Sequence, residues 1–211
     1  MLRVGVVVIL GVLIAAAGCD GDERAEPADG ESEEGDRGRA ARGANSHRAC
    51  VSRRGSEAYR DLRRLALHLD PSAAGLQATP SLPRVFGVMM ETGYPNGCAT
   101  LVALADGTAS LYLSAGSSVI GAGEHESVAR RAKLFVQAAE EDLDLMPRAS
   151  TPTLPAVGSV VLRALTYDGH RELEAREDDL GYERHELSAL FHAGHDVITA
   201  IRQIEESQRS Q

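Results

Sequence analysis

Residues 20–49 hold nine acidic residues, five arginines and almost nothing large and apolar. A segment of that composition cannot bury enough surface to offset the entropy of ordering it. It is expected to be an acidic, mixed-charge tether, and thirty coil-like residues reach roughly 30 Å end to end. Folding is therefore confined to residues 50–211, a stretch of 162 residues that is long enough for one domain with a real core. This body carries 16 basic and 22 acidic residues, a balance of about −6. Nucleic acid and anionic lipid surfaces are poor partners for such a charge.

Apolar spacing and turn signals place the elements of the body. Residues 56–69 read as a helix with Leu62, Leu65, Ala66 and Leu69 on one stripe, ended by Asp70-Pro71. Strand runs follow at 85–91, 98–104 and 108–113, joined by the Gly93–Gly97 turn and the hairpin signal Asp106-Gly107. In the third run Ala109, Leu111 and Leu113 share one face, and Thr108, Ser110 and Tyr112 the other. A Gly/Ser-rich stretch at 114–123 leads into a long helix at about 124–145, with Val128, Ala132, Phe135, Val136, Ala139 and Leu143 on its buried side. Pro147, Pro152 and Pro155 mark an extended crossing. A strand at 157–167, the turn Asp168-Gly169 and a short polar edge strand at 170–176 come next. The last helix is expected at 185–205, with Leu187, Leu190, Phe191, Ile198 and Ile201 facing inward.

The order α-β-β-β-α-β-β-α, with hairpins joining most strands, predicts an α+β fold. Its sheet should be mainly antiparallel, with helices packed on it. This order resembles that of roadblock, longin and profilin-like domains over most of residues 52–206, without a specific motif. Those families act mainly as interaction platforms, so the resemblance implies a binding role.

The N-terminus reads as an address. Met-Leu-Arg precedes an apolar run from Val4 to Ala17, then Gly18-Cys19 and the acidic tether. A helix of about 14 residues covers roughly 21 Å, short of a ~30 Å hydrocarbon core, so residues 1–18 read as a signal peptide rather than a membrane span. Ala16-Ala17-Gly18-Cys19 resembles the lipobox of bacterial lipoproteins, with Ala16 where leucine is usual. The resemblance implies cleavage before Cys19, lipidation of its sulfur by diacylglycerol and palmitate-type acyl chains, and anchoring to a membrane of the cell envelope. Two or more acyl chains hold a protein stably. Cys50 and Cys98 remain, and an exported chain meets oxidising conditions, so they are a candidate disulfide pair; two reduced cysteines is the alternative.

Three constellations are candidates for chemistry. Gly116, Ser117, Ser118, Gly121 and Gly123 form a candidate ligand loop between a strand and a helix, where amides can cradle an anion. Gly116 and Gly121 have P-loop spacing, but Ala122 and Gly123 stand where Lys and Ser/Thr are needed, and Glu124 and Glu126 would repel an anion. His192 and His195, three residues apart with Asp196 beside them, are the candidate metal ligands. They are expected on the solvent face with His185, which lies too far along the axis to join them. Asp178-Asp179 is a carboxylate pair expected in a loop. Tyr94 and Tyr182 are expected partly exposed, as protein-contact residues often are. No cofactor is implied.

The expectation is a lipid-anchored envelope protein whose body is a non-catalytic interaction module for an unidentified protein partner. The alternatives are a small hydrolase or metal-dependent enzyme using the Gly/Ser loop and histidine face, and a purely structural envelope protein.

Overall fold

The computed structural model describes residues 56–149 and 151–210. The signal peptide, Cys19, the tether and Cys50 lie outside the described residues. All described residues belong to one compact unit. None of its helices is long and apolar enough to cross a membrane.

The architecture is α+β. Six strands, β1 (Val85–Tyr94), β2 (Gly97–Leu104), β3 (Ala109–Leu113), β4 (Ser118–Val119), β5 (Ser159–Thr166) and β6 (Gly169–Arg176), form one sheet in the order β4-β3-β2-β1-β5-β6. Every neighbouring pair is antiparallel. Hairpins β1–β2–β3–β4 and β5–β6 make two meanders, and β1 and β5 join them at the centre. Helices α2 (Glu126–Glu141) and α4 (Ser188–Arg209) pack on one face, and α1 (Ser56–Leu67) packs on the other. The fifth-strand meander runs into a short helix, α3 (Glu177–Gly181).

The larger core lies under α2 and α4. Val128, Ala132, Phe135, Val136 and Ala139 of α2, with Leu143 just beyond it, are buried as the periodicity predicts, and so are Leu187, Leu190, Phe191, Ile198 and Ile201 around α4. They meet Val88 and Met90 of β1, Leu101 and Ala103 of β2, and Leu162 and Ala164 of β5. Phe86 and Met89 point to the opposite face, into the smaller core under α1. A bulge between Val85 and Gly87 shifts the β1–β5 register. One extra residue reverses the side-chain alternation at that point, which explains why Val85 and Val88 share a face at an odd spacing.

Several boundaries differ from those the sequence predicts. Strand β1 runs on through Tyr94, which pairs with Gly97, so the expected five-residue turn tightens to Pro95-Asn96. The long helix stops at Glu141 and continues as a 3-10 turn at Leu143–Leu145. The last helix begins at Ser188, so His185 precedes it and accepts a hydrogen bond from Leu187 N–H at Nδ1 (3.1 Å). Asp178 and Asp179 belong to α3 rather than to a loop. Of the expected α1 stripe, Leu62, Ala66 and Leu69 pack partly buried against the smaller core, Leu65 is 51% exposed, and Tyr59, Arg63 and Leu67, four apart, face the sheet beside them.

The crossing that leads to β5 lies hard against β1. Gly93 O accepts from Gly158 N–H (2.9 Å), and Gly93 bridges Val157. A Cβ on Gly93 would stand 2.2 Å from Ala156 O, against backbone that has no rotamer to escape into. Gly93→Ala should therefore destabilise the body by about 1–3 kcal/mol or more, as overpacked sites do. The urea midpoint measures it, and a loss under about 0.5 kcal/mol would contradict the contact.

Candidate functional site

Two places hold groups that a simple packed body does not require. The first is a charge cluster under α1. Glu91 of β1 and Arg163 of β5 are fully buried. Glu91 accepts from Arg63 Nε at 2.6 Å and Nη2 at 3.0 Å, from Thr100 Oγ1 at 3.2 Å, and from Arg163 Nη1. Arg163 also donates to Glu172 Oε2 at 2.6 Å, and both arginines donate to Thr153 O, at 2.9 and 3.2 Å. Tyr59 closes the group through its hydroxyl and Thr100 Oγ1, 2.7 Å apart. Burial, reinforced by the Glu91 charge, pushes the Tyr59 phenol up to about 12. Two guanidiniums face two carboxylates with most hydrogen-bonding positions filled, the condition under which a buried ionic group is tolerated. With its partners spoken for, the cluster reads as the clamp that seats α1 and the 147–158 crossing on the sheet.

The second is a recess of about 210 Å³ on the other face, between α4 and the ends of β1, β2 and β3. Met90, Leu101, Leu111 and Leu113 form its apolar wall, and Thr92, Tyr94, His195 and Arg202 supply polar groups. The His195 ring lies edge-on to Phe191, centroids 4.3 Å apart. Its Nε2 is shut off from solvent and has no hydrogen-bond partner. Burial first, then the neighbouring His192 and Arg202 charges, hold its pKa below the ordinary histidine value, and Asp196 opposes them. His195 is thus partly buried rather than on the solvent face expected for it, because α4 turns that side of the helix toward the strand ends. His192 is exposed and Asp196 is exposed. Among the described residues no three His, Cys, Asp or Glu side chains gather in a way that could hold a metal ion.

The Gly/Ser stretch is built into the sheet. Gly116 N–H donates to Leu113 O (3.0 Å) and Leu113 N–H to Ser117 O (2.8 Å). Ser118 pairs with Tyr112 in β4, and Gly121 N–H donates to Ser110 Oγ (3.3 Å). Gly123 lets the chain cross the β2–β3 hairpin: a Cβ there would stand 2.3 Å from Gly107 O. Both ends of the stretch are thus explained by sheet closure and close packing. The recess reaches His195 from β1, β2 and β3, with no lining residue from 114–126.

Of the remaining expected contact residues, Tyr94 is 40% and Tyr182 70% exposed. Cys98 is disulfide-bonded, and its partner lies outside the described residues. Sequence reasoning missed the cluster around Glu91. The signal available was a lone acid in the apolar run Val-Met-Met-Glu and a lone base in Val-Val-Leu-Arg-Ala-Leu.

His195 and His170 carry a pH prediction. Burial is the leading cause that lowers each, with Arg163 and His68 adding at His170. A depressed histidine binds fewer protons folded than unfolded, so its stability is full above about pH 6.5 and lost as the pH falls through the window below. Melting temperature should drop from pH 7 toward pH 5.5, and His195→Phe should flatten that slope. An unchanged slope in the variant would reject the assignment.

No protein-family model, curated protein or solved structure matches the chain.

Proposed function

We propose that the chain is a lipid-anchored, tethered interaction module of the bacterial cell envelope, held to the membrane through Cys19 and binding another protein through its sheet edge. The lipobox-like Ala16-Ala17-Gly18-Cys19 and the acidic tether support the anchoring half. The state of the β6 edge supports the binding half. The outer rim of β6 is covered as far as Glu172: Ala149 N–H donates to His170 O (2.9 Å) and Glu172 N–H to Pro147 O (3.0 Å). Antiparallel pairing alternates, so the same parity aims the backbone groups of Glu174 outward, past the end of that cover. An open rim of this kind accepts an added strand. The element order, which resembles that of roadblock, longin and profilin-like domains that act as platforms, supports the same reading.

A photo-cross-linking residue at Arg176, in the full-length lipidated chain in envelopes, should give an adduct of defined size. Glu174→Pro, which removes an outward N–H and leaves the inner ladder to Leu173 and Ala175, should abolish it. An adduct indifferent to Glu174→Pro would refute edge binding, and a Cys19→Ser chain that stays with the membrane would refute the anchor.

A further inference from the structure

We infer that the occupant of the β6 edge is a second copy of this chain, paired antiparallel about a two-fold axis at Ala175 so that two six-stranded sheets become one. The inference rests on the edge-binding reading above and names the partner. Among the described residues no segment pairs with the outer rim at Glu174 and Arg176. The open stretch is bounded at both ends. Residues 147–149 cover the rim up to Glu172, and the chain leaves the strand at Glu177, where α3 begins. An incoming strand therefore meets two outward residues, the acid Glu174 and the base Arg176, both exposed.

Charge and geometry select one register for a second copy. In an antiparallel pair, outward residues meet outward residues as hydrogen-bonded pairs. Setting Glu174 against Glu174 of the second copy faces two acids and drives Arg176 into the covered Glu172. Setting Arg176 against Arg176 faces two bases and carries Glu174 past the end of the strand. Setting Glu174 against Arg176 engages both outward residues of both chains, and the two-fold makes the contact reciprocal, as an isologous interface requires. Each Arg176 N–H then donates to a Glu174 carbonyl, and each Glu174 N–H to an Arg176 carbonyl. Arg176 also caps α3, and its carbonyl has a second lone pair to offer. The side chains at 174 and 176 share one face, so each carboxylate stands beside a guanidinium across the strand gap, an opposite-charge pair that stabilises the pairing. Both groups are free to do this. Glu174 spends Oε1 on Ala156 N–H (3.0 Å) and keeps Oε2, and the Arg176 side chain is 71% exposed and 3.8 Å from Asp178. Ala175 falls on the axis, where its small side chain lets the strands close. Three residues a side make a small interface, so the pair is weak in free solution and favoured where a membrane anchor concentrates the chains.

Disulfide trapping in the full-length lipidated chain in envelopes tests this. In this register residue 175 faces its own copy as a non-hydrogen-bonded pair, with Cα atoms about 4.5 Å apart, a separation that a disulfide spans. Ala175 is half-buried and takes one added atom. Ala175→Cys under copper–phenanthroline should give a reductant-sensitive species of twice the chain mass, and the unaltered chain should not. In that background Glu174→Arg and Arg176→Glu should each lower the trapped fraction by at least about five-fold, because each sets like charges opposite at two places. The double exchange, Glu174→Arg with Arg176→Glu, should restore it, since the two copies are then complementary again. No trapped dimer with Ala175→Cys overturns the inference, as does a double exchange that traps no better than the single ones. A benzophenone label on the same cysteine separates this inference from edge binding as such. A photo-adduct of twice the chain mass supports both. A photo-adduct with a different protein overturns self-pairing and leaves edge binding standing, and no photo-adduct at all overturns both.

Discussion

Glu91→Ala should cost the body about 3–5 kcal/mol, the loss expected when one partner of a buried ionic group is removed and the other charge is left behind. The carboxylate is fully buried and is shared by Arg63, Arg163 and Thr100. Without it two guanidiniums face each other across a dry space, with Glu172 reaching Arg163 alone. At this size about 2–4 °C of melting temperature accompanies each kcal/mol, so the midpoint should fall by roughly 10 °C. Circular dichroism melts and urea titrations with an unchanged slope measure it. Replacing Arg63, Glu91, Arg163 and Glu172 together by apolar residues of similar volume should recover most of the loss, because no member of the ionic group is then left unpaired. A Glu91→Ala loss under about 1 kcal/mol would mean that water enters the cluster and that the clamp on α1 is weak.

The second large effect concerns the disulfide at Cys98. This residue is the second of β2, on the α1 face, is 4% exposed, and packs in the same cluster as Tyr59, Met89 and Val102. Removing a native disulfide from a small exported domain typically costs about 2–5 kcal/mol. With Cys50 as the proposed partner the closed loop is roughly fifty residues, for which the chain-entropy treatment gives about 4 kcal/mol. Cys98→Ser and Cys50→Ser should each lower the urea midpoint by the same amount, and the double variant should fall no further. Cys19→Ser should leave it unchanged. Peptide mapping without reductant that joined Cys98 to Cys19 would refute both this pairing and lipidation of Cys19.

These two predictions bear on the same element, whose inward face the sequence shows only in part. Leu62, Ala66 and Leu69 of the apolar stripe do pack on the smaller core, but the helix seats Tyr59, Arg63 and Leu67 deeper against the sheet and leaves Leu65 exposed. Apolar periodicity assumes that the inward face is apolar. Here an arginine sits in its middle because an acid waits 28 positions further on. Helices α2 and α4 are legible because their buried positions are mostly apolar, as Val128, Phe135, Val136, Leu190 and Ile201 show, with Glu140 and Ser188 as exceptions near a helix end. The Gly/Ser stretch was legible as a connection but not as β4, since two residues carry too little pattern to mark a strand. The histidine face was read from angular spacing on an isolated helix, which puts His192 and His195 together. Packing separates their environments, with His192 exposed and His195 half inside the recess.

The chain by itself determines the α+β class, the hairpin turns at Asp106-Gly107 and Asp168-Gly169, and the buried faces of the two large helices. Each follows from contacts within a few residues, where backbone geometry fixes which side chains are neighbours. Tertiary structure alone decides the seating of Tyr59 and Arg63 beneath α1, the half-covered rim of β6 and the recess beside α4. It also brings Glu91 to Arg163, 72 positions apart. These depend on how separate elements are set against one another, and a charge or a hollow acquires its meaning only from the groups that arrive opposite it.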